Sequence, residues 1–327
     1  MTETLLEIDH LSVDYKTERG DLKALRDITF DVRKGEIVGI VGESGCGKST
    51  LISSILRLTA PNTRFRQGAV RFKGQDLLQA NERQMRALRG DDISIVFQDP
   101  MQTHNPVLTV GQQMVDIQHR SSASKAAKRA TAAKMLGAVG IPDPDARLNQ
   151  FPHEFSGGMR QRIAIAMALM SEPDLLIADE PTTALDATLE VQIIERLQEL
   201  QREMNCAILF ISHHLGVIAE LCDRVVVMYA GAVVESGDVR EIFHNPKHPY
   251  TRRLIECDPG HIKTRARVLP TIPGEVPDLA NLPGGCIFRD RCDQAIARCA
   301  ADVPPLERLG DDGHLAACWL NHEEMTA

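Results

Sequence analysis

Apolar runs recur at short intervals along the chain as far as Met228 and predict a series of strands. Residues Leu5–Tyr15 alternate apolar with polar positions, which is typical of an edge or antiparallel strand, and a second strand is predicted around Ala24–Val32. Shorter and more uniformly apolar runs are typical of buried strands. These runs lie at Glu36–Val41, Ile93–Phe97, Leu175–Ala178, Ala207–Ile211 and Val225–Met228.

Helical patterns separate the predicted strands. The residues after Lys48 place apolar side chains at the i, i+4 spacing of an amphipathic helix. Residues 105–173 are rich in alanine and other helix formers, and Leu189–Met204 is a further helical segment. Strands that alternate with helices indicate an α/β fold with a largely parallel sheet.

The pattern changes after about Glu256. Prolines at positions 259, 270, 273, 277, 283, 304 and 305 leave little room for long helices. Four of the eight cysteines also fall there, namely Cys286, Cys292, Cys299 and Cys318. We therefore expect a small, loop-rich tail whose thiols act as ligands of a metal or cluster rather than forming disulfides.

The composition of the chain excludes several classes of protein. The chain has 327 residues, of which 43% are hydrophobic and 25% charged, so a soluble globular protein of about two domains is expected. A net charge of −8 and an aromatic content of only 4% argue against nucleic-acid binding. No apolar stretch is long enough to predict a membrane span, and Met1–His10 lacks the pattern of a secretion signal.

One segment predicts a phosphate site. The sequence Gly42-Glu43-Ser44-Gly45-Cys46-Gly47-Lys48-Ser49 fits the phosphate-loop pattern G-x-x-x-x-G-K-S/T, between a predicted buried strand and a predicted helix. Its glycines allow backbone N–H groups to turn inward onto an anion, and the helix N-terminus adds a positive dipole end. We expect Lys48 to reach the β- and γ-phosphates of a nucleotide and Ser49 to ligate Mg²⁺.

Two carboxylates, Asp179 and Glu180, follow the apolar residues Leu175–Ala178. In α/β folds, ligands bind beyond the carboxyl ends of the strands. We expect Asp179 to hold Mg²⁺, directly or through water. Glu180 is expected to accept a proton from the attacking water or to orient it.

Further motifs follow in the order found in the ATP-binding subunits of ABC transporters, a family that the chain resembles from residue 5 to about residue 235. Phe155–Met159 is similar to the signature motif LSGGQ, and Gln98 matches the glutamine of the Q-loop. Ala184–Asp186 matches the D-loop and His213 the switch histidine, while Tyr15 stands where the family stacks an aromatic ring on adenine.

The resemblance implies the α/β fold of an ABC-type P-loop nucleotide hydrolase, with a mixed sheet core, an antiparallel β subdomain and an α-helical signature subdomain. It implies a nucleotide-binding domain over residues 1–255, with its helical part at about 105–173, and a tail domain over 256–327. Two such subunits would face each other head to tail, with ATP between one phosphate loop and the other subunit's signature.

The resemblance also implies roles for particular residues. Catalysis would fall to Glu180, His213 and Gln98, and Mg²⁺ binding to Ser49, Gln98 and Asp179. The residues implied in nucleotide binding are Tyr15, Gly42, Ser44, Gly45, Cys46, Gly47, Lys48, Ser49, Thr50, Ser156, Gly157, Gly158 and Asp186.

Three features depart from the family's commonest pattern. Phe155 and Met159 replace leucine and glutamine in the signature, although the Ser-Gly-Gly that would touch phosphate is kept. His214 stands where an aspartate is common after the switch histidine. Cys46 lies within the phosphate loop, where a helix N-terminus lowers the pKa of a thiol, so we hypothesise that alkylation of Cys46 inhibits ATP hydrolysis.

The tail resembles that of oligopeptide and dipeptide importer ATPases, most closely the dipeptide permease subunits. His248–Thr251 is similar to their H-P-Y-T segment, and Gly285–Cys292 to their G-C-x-F-x-x-R-C element.

The cysteine spacing C-x₅-C-x₆-C-x₁₈-C matches neither the common zinc knuckle nor the ferredoxin run, so ligand count leaves both zinc and iron–sulfur open. The resemblance favours a structural 4Fe–4S cluster, with zinc or unligated thiols as alternatives. Arg289, Arg291 and Arg298 are expected to offset its negative charge.

The expected function is ATP hydrolysis that powers import of di- or oligopeptides through a membrane ABC transporter. The expected partners are two transmembrane permease subunits, a second and homologous ATPase subunit, and a solute-binding protein, without nucleic acid. A peripheral position on the cytoplasmic face of the plasma membrane is expected.

One alternative is the same type of importer with another cargo, such as nickel, an opine or a sugar-like solute. The other is a soluble ABC ATPase of translation or DNA repair, against which the single cassette, the net charge and the tail argue.

Overall fold

A computed structural model describes residues 3–99, 103–182, 187–258, 260, 270–310 and 313–322, with the backbone alone for residues 187–189. The strands within these residues are β1 (Thr4–Thr17), β2 (Gly20–Arg33), β3 (Ile37–Val41), β4 (Thr63–Phe72), β5 (Gln75–Asp76), β6 (Ile93–Val96), β7 (Leu175–Asp179), β8 (Ala207–Ile211), β9 (Arg224–Tyr229), β10 (Ala232–Asp238), β11 (Glu307–Arg308) and β12 (Leu315–Ala316).

The α-helices of the described residues are α1 (Lys48–Leu56), α2 (Glu82–Leu88), α3 (Val110–Ile117), α4 (Lys125–Ala138), α5 (Pro144–Arg147), α6 (Gly157–Leu169), α7 (Ala187–Met204), α8 (Leu215–Leu221), α9 (Val239–His244), α10 (Pro249–Glu256) and α11 (Arg298–Ala301). Short 3₁₀ turns occupy Pro152–Glu154, Arg289–Arg291 and Trp319–Asn321.

The chain divides into two compact units that are not contiguous in sequence. The first unit comprises residues 1–3, 33–36 and 81–211, and the second comprises residues 4–32, 37–80 and 212–327. The described residues of the tail therefore belong to the same compact unit as the phosphate loop at residues 42–49.

Strands of two sheets lie in the second unit. One sheet has the order β2-β1-β4-β5, and its β1 and β4 are antiparallel, with Leu6 opposite Phe72 and Tyr15 opposite Thr63. Among the other strands, β3 and β9 are parallel whereas β9 and β10 are antiparallel. The tail strand β12 pairs with β10 and β11 pairs with β12, so the tail continues this mixed sheet.

The first unit combines parallel strands with helices. β7 lies between β6 and β8, and Ile177 of β7 is opposite both Ile95 and Leu209. Every residue of β8 is buried, as expected of a strand covered on both faces. Helices α3 to α6 form the alanine-rich segment, in which Thr109 and Ser124 cap the N-termini of α3 and α4.

The observed elements confirm the predicted α/β class, with a mixed sheet, an antiparallel sheet and a helical segment. A separate cysteine-containing domain stays a prediction. The apolar pattern did not predict β4, because the residues from Arg64 to Gly68 are exposed and pairing with β1 determines their conformation. No helix of the described ranges is long and apolar enough to cross a bilayer.

Candidate functional site

The phosphate loop joins the buried strand β3 to helix α1 in the second unit. Gly42 and Gly47 have φ angles of 153° and 108°, which residues with a Cβ rarely adopt. A Cβ at Gly42 would lie 2.2 Å from the carbonyl oxygen of Met228, and one at Gly47 would lie 2.8 Å from that of Ala24. Glycine is therefore required at both positions for conformation and for space.

The cationic side chain of this loop belongs to Lys48, the first residue of α1. Its Nζ donates hydrogen bonds to the carbonyl oxygens of Gly42, at 2.7 Å, and Glu43, at 3.2 Å, so the ammonium group lies against its own loop. Gly47 occupies the N-cap position, and no side chain caps α1. The first-turn N–H groups and Lys48 together supply the positive charge that suits a phosphate.

Other predicted nucleotide-binding residues lie on or against α1. The hydroxyl of Tyr15 donates to Oγ1 of Thr50 at 3.1 Å, which ties the half-buried ring to this helix. Ser44 and Ser49 are exposed, so both hydroxyls are accessible to a ligand. The structure thus brings together the predicted residues of the second unit from Tyr15 to Thr50.

Cys46 does not have the reactive character that its position predicts. Only 1% of the residue is exposed, and burial raises the pKa of its thiol. The Lys48 Nζ atom lies 3.6 Å from Cys46 Sγ and acts in the opposite direction, but desolvation is the larger effect. The expected lowering of the Cys46 thiol pKa by the helix N-terminus is therefore wrong, whereas inhibition of ATP hydrolysis by alkylation stays a prediction.

In the first unit, β7 ends at Asp179 and Glu180 follows it directly. Glu180 has a φ of 48°, in the left-handed region, and its N–H donates to the carbonyl oxygen of Ile211 at 2.9 Å. Nε2 of Gln98 donates to Oε2 of Glu180 at 2.8 Å. The predicted Q-loop glutamine therefore orients the predicted catalytic carboxylate.

The signature segment opens helix α6, as predicted. Ser156 is the N-cap residue, and its Oγ accepts a hydrogen bond from the N–H of Met159 at 3.3 Å. Gly157 begins the helix, and no atom lies within 4 Å of a Cβ built there. The side chain of Phe155 is buried, which explains why an apolar residue suffices where the family has leucine.

His213 and His214 lie together just after β8 in sequence. Both are exposed, and their rings pack edge to face with centroids 4.3 Å apart. His214 is the N-cap residue of α8, which leaves His213 as the histidine nearer the strand end. The predicted D-loop, Ala184–Asp186, lies outside the described residues.

The four tail cysteines line one small cavity together with His248, Phe288 and Trp319. All four are free thiols. Burial raises the pKa of Cys286 and Cys292, and it raises the pKa of Cys318 to about 11. Across the described ranges, no three His, Cys, Asp or Glu side chains converge as ligands of a single metal ion.

The three tail arginines have different surroundings, and Arg289 lines the same cavity as the four cysteines. Arg289 pairs with Asp290 at 2.8 Å, and the guanidinium of Arg298 lies 3.6 Å from the centroid of the Trp319 ring. Arg291 turns away to Glu43 of the phosphate loop. That the three arginines offset the negative charge of a cluster stays a prediction.

The cysteines outside the phosphate loop and the tail differ in how deeply they are buried. Cys206 and Cys222 are buried, and burial raises the pKa of the Cys206 thiol to about 12. Cys257 is half-buried.

Sequence reasoning missed the contacts of Glu43. This residue occupies an unspecified position of the phosphate-loop pattern, yet its side chain pairs with Arg291 and its N–H donates to the hydroxyl of Tyr250. Both partners belong to motifs that the sequence singled out in the tail, but nothing in their spacing indicated what they touch.

Two family models match the chain. The model of the ABC transporter family matches residues 25–183. The model of the oligopeptide/dipeptide transporter C-terminal region matches residues 234–299.

Relatives match almost the whole chain. The dipeptide transport ATP-binding protein DppD of Bacillus subtilis is 46% identical over 98% of this chain and 96% of its own length. The oligopeptide transport ATP-binding protein OppD of Salmonella typhimurium is 46% identical over 98% of this chain and 95% of its own length. A solved dimeric ATP-binding cassette, in a post-hydrolysis state with ADP and Pi, has a TM-score of 0.65 and 26% identity, and covers 72% of this chain and 99% of its own. The chain therefore belongs to the ATPases of ABC transporters, in the group that carries the oligopeptide/dipeptide transporter C-terminal region.

Proposed function

We propose that the chain is the ATP-hydrolysing subunit that powers import of di- or oligopeptides through a membrane ABC transporter. The observation that carries the proposal is the match of residues 234–299 to the oligopeptide/dipeptide transporter C-terminal region, in the same chain as the cassette at residues 25–183. The dipeptide and oligopeptide transport proteins above align with nearly the full chain, which supports the same cargo class.

In this proposal, the second unit holds the nucleotide. The loop amides and Lys48 neutralise the β- and γ-phosphates, and the ring of Tyr15 stacks on adenine. Gly42, Ser44, Gly45, Cys46, Gly47 and Thr50 complete this phosphate-binding segment. Two observations support this phosphate-binding role. The glycines have positive φ angles, and no side chain caps the N-terminus of α1, so the N–H groups of its first turn can bind an anion.

The first unit supplies the hydrolytic side chains. Glu180 accepts a proton from the attacking water, and Gln98 holds its carboxylate in one orientation through the 2.8 Å hydrogen bond. Mg²⁺, when bound, supplies positive charge to the phosphates. Ser49, Asp179 and Gln98 carry the oxygen donors that this ion prefers.

Two cassettes would complete the reaction. Ser156, Gly157 and Gly158 would bind the γ-phosphate held by a partner cassette, because the start of α6 offers N–H groups and a hydroxyl. His213 would contact the γ-phosphate in its own subunit, and Asp186 would take part in nucleotide binding. We propose a second, homologous ATPase as this partner, with two permease subunits and a solute-binding protein in the complex, at the cytoplasmic face of the inner membrane.

The cargo and the class of protein can be tested together. A tagged chain, expressed with its neighbouring genes, should co-purify with two permeases. In proteoliposomes with the solute-binding protein, ATP should drive accumulation of labelled dipeptides and oligopeptides. Accumulation of nickel, an opine or a sugar without peptides would overturn the cargo, and hydrolysis stimulated by ribosomes or DNA would overturn the class.

We further propose that Cys286, Cys292, Cys299 and Cys318 hold a 4Fe–4S cluster. The support for this proposal is that all four cysteines line one small cavity. Four thiolates are the ligand set that a 4Fe–4S cluster takes. The cluster, when bound, would cross-link a tail that has few regular elements of its own.

Iron and acid-labile sulfide analysis of anaerobically purified protein tests this proposal. We expect iron, sulfide and a brown absorbance near about 400 nm, which is typical of thiolate-bound iron. Cys318→Ser should lose the iron, whereas the matched control Cys257→Ser should retain it. A colourless protein that contains zinc, or that contains no metal, would overturn the cluster.

A further inference from the structure

We infer that Arg291 and Tyr250 are positioning residues for ATP binding, because they hold Glu43 and through it the backbone of the phosphate loop. The inference rests on the proposed role of residues 42–49. It assigns the tail a part in nucleotide binding that is separate from the proposed cluster.

The contact between Arg291 and Glu43 is bidentate. Nη1 of Arg291 donates to Oε2 of Glu43 at 2.7 Å, and Nη2 donates to Oε1 at 3.0 Å. The side chain of Arg291 is only 5% exposed, against 28% for Glu43, so water screens this pair weakly. A bidentate guanidinium–carboxylate contact of this kind also restricts orientation.

Arg291 is itself held in place. Its Nε donates to the carbonyl oxygen of Pro273 at 2.8 Å, and its Nη2 to that of Ile272 at 3.2 Å. The guanidinium carbon lies 5.7 Å from the centroid of the Tyr229 ring. Arg291 therefore presents a fixed group to Glu43 rather than a mobile surface charge.

Tyr250 holds the backbone of the same loop residue. Its hydroxyl accepts a hydrogen bond from the N–H of Glu43 at 2.9 Å. The ring is fully buried and packs against Tyr229 and Phe288, with centroid distances of 4.7 and 5.4 Å. Both the side chain and the N–H of Glu43 are thus anchored by residues outside the loop.

These anchors serve binding in two ways. A glycine-rich loop loses much conformational freedom when it closes on a ligand, and external anchors reduce that loss beforehand. The charge of Glu43 would also repel nucleotide phosphates if it were unpaired, because both are anionic. Arg291 neutralises that charge.

The test uses the full chain and its affinity for Mg²⁺–ATP, measured by titration calorimetry. Arg291→Met should raise the Kd about tenfold, because it leaves an unpaired carboxylate beside the phosphates. In the assembled transporter it should raise KM for ATP by a similar factor and change kcat less than twofold. Arg252→Met, at an exposed position on α10, is the matched control and should leave the Kd unchanged.

A second variant separates positioning from simple loss of structure. Glu43→Gln combined with Arg291→Met should recover only part of the lost affinity, because it removes the repelling charge but does not restore the bidentate contact. Arg291→Lys, which keeps the charge but not the bidentate contact, and Tyr250→Phe should each raise the Kd about threefold. An Arg291→Met Kd equal to that of the control, or a double variant that binds Mg²⁺–ATP as tightly as the unmodified chain, would overturn the inference.

Lys48→Ala distinguishes this inference from the proposed function. If Lys48→Ala retains Mg²⁺–ATP affinity, the proposed phosphate loop is wrong. If Lys48→Ala abolishes binding while Arg291→Met behaves as the control does, only the inference about the tail fails.

Discussion

The two compact units hold their proposed catalytic and nucleotide-binding residues in place by different means. In the first unit, one hydrogen bond between Gln98 and Glu180, at the end of a buried strand, orients a side chain. In the second unit, the phosphate loop is mostly backbone, shaped by glycines and anchored at Glu43 by Arg291 and Tyr250. In the proposed function, turnover would therefore depend on a few side-chain atoms, whereas binding would depend on the shape of a whole loop. Substitutions in the two units should therefore separate kcat from Kd.

The largest effect is expected from Glu180→Gln in the first unit. Loss of the proton acceptor should lower the steady-state ATPase rate of the assembled transporter about 10³-fold, while the Kd for Mg²⁺–ATP changes less than about twofold. ATP should stay bound and unhydrolysed, as measured by the nucleotide content of the purified complex. Glu195→Gln, an exposed position on α7, is the matched control. Undiminished hydrolysis by the Glu180 variant would contradict the separation of roles.

Gly47→Ala tests whether the phosphate loop in the second unit requires glycine at this position. The added methyl group meets a backbone oxygen 2.8 Å away and strains a φ of 108°, so the free energy of unfolding should fall by about 3 kcal/mol, with loss of ATP affinity. Urea denaturation and calorimetry measure the two effects. Gly216→Ala, with no atom within 4 Å and helical φ, is the control and should not destabilise the protein. Equal free energies of unfolding for the two variants would contradict the requirement for glycine at position 47.

Gln98→Ala tests whether the Gln98 side chain orients Glu180 in the first unit. Without its hydrogen bond, Glu180 keeps its charge but loses its fixed orientation, so kcat should fall about tenfold, less than for Glu180→Gln. The Kd for Mg²⁺–ATP should rise less than it does for Gly47→Ala, because Gln98 is only one of three side chains proposed to hold Mg²⁺. A fall in kcat as deep as that of Glu180→Gln would show that Gln98 does more than orient the carboxylate.

The smallest effect is expected from alkylation of Cys46. Because burial raises its pKa, the thiol stays protonated at neutral pH and becomes a thiolate only as the pH rises through that elevated value. Iodoacetamide at pH 7 should leave Cys46 unlabelled in the native protein and label it after unfolding, as read by peptide mass spectrometry. Native labelling of Cys46, with ATPase loss that Cys46→Ser prevents, would restore the original hypothesis.

Buried strands and the phosphate loop were predictable because their signals are local. The run Ile37–Val41 is apolar throughout and all of it is buried, and α1 buries the apolar face that its spacing predicts. Strand β4 was not predictable, since its exposed residues carry no such pattern and pairing with β1 shapes them. The tail strands β11 and β12 are too short to carry a pattern at all.

The sequence by itself determined the phosphate-loop backbone and the candidate residues for phosphate binding and ATP hydrolysis, because glycine, lysine and carboxylate positions at fixed spacing dictate local backbone and charge. The tertiary structure alone decided which residues anchor the loop and that burial raises the pKa of the Cys46 thiol. Glu43 and Arg291 are 248 positions apart, so only folding shows that they pair. The pKa of Cys46 depends on how completely its neighbours exclude water, and desolvation is a property of the packed chain rather than of its motif.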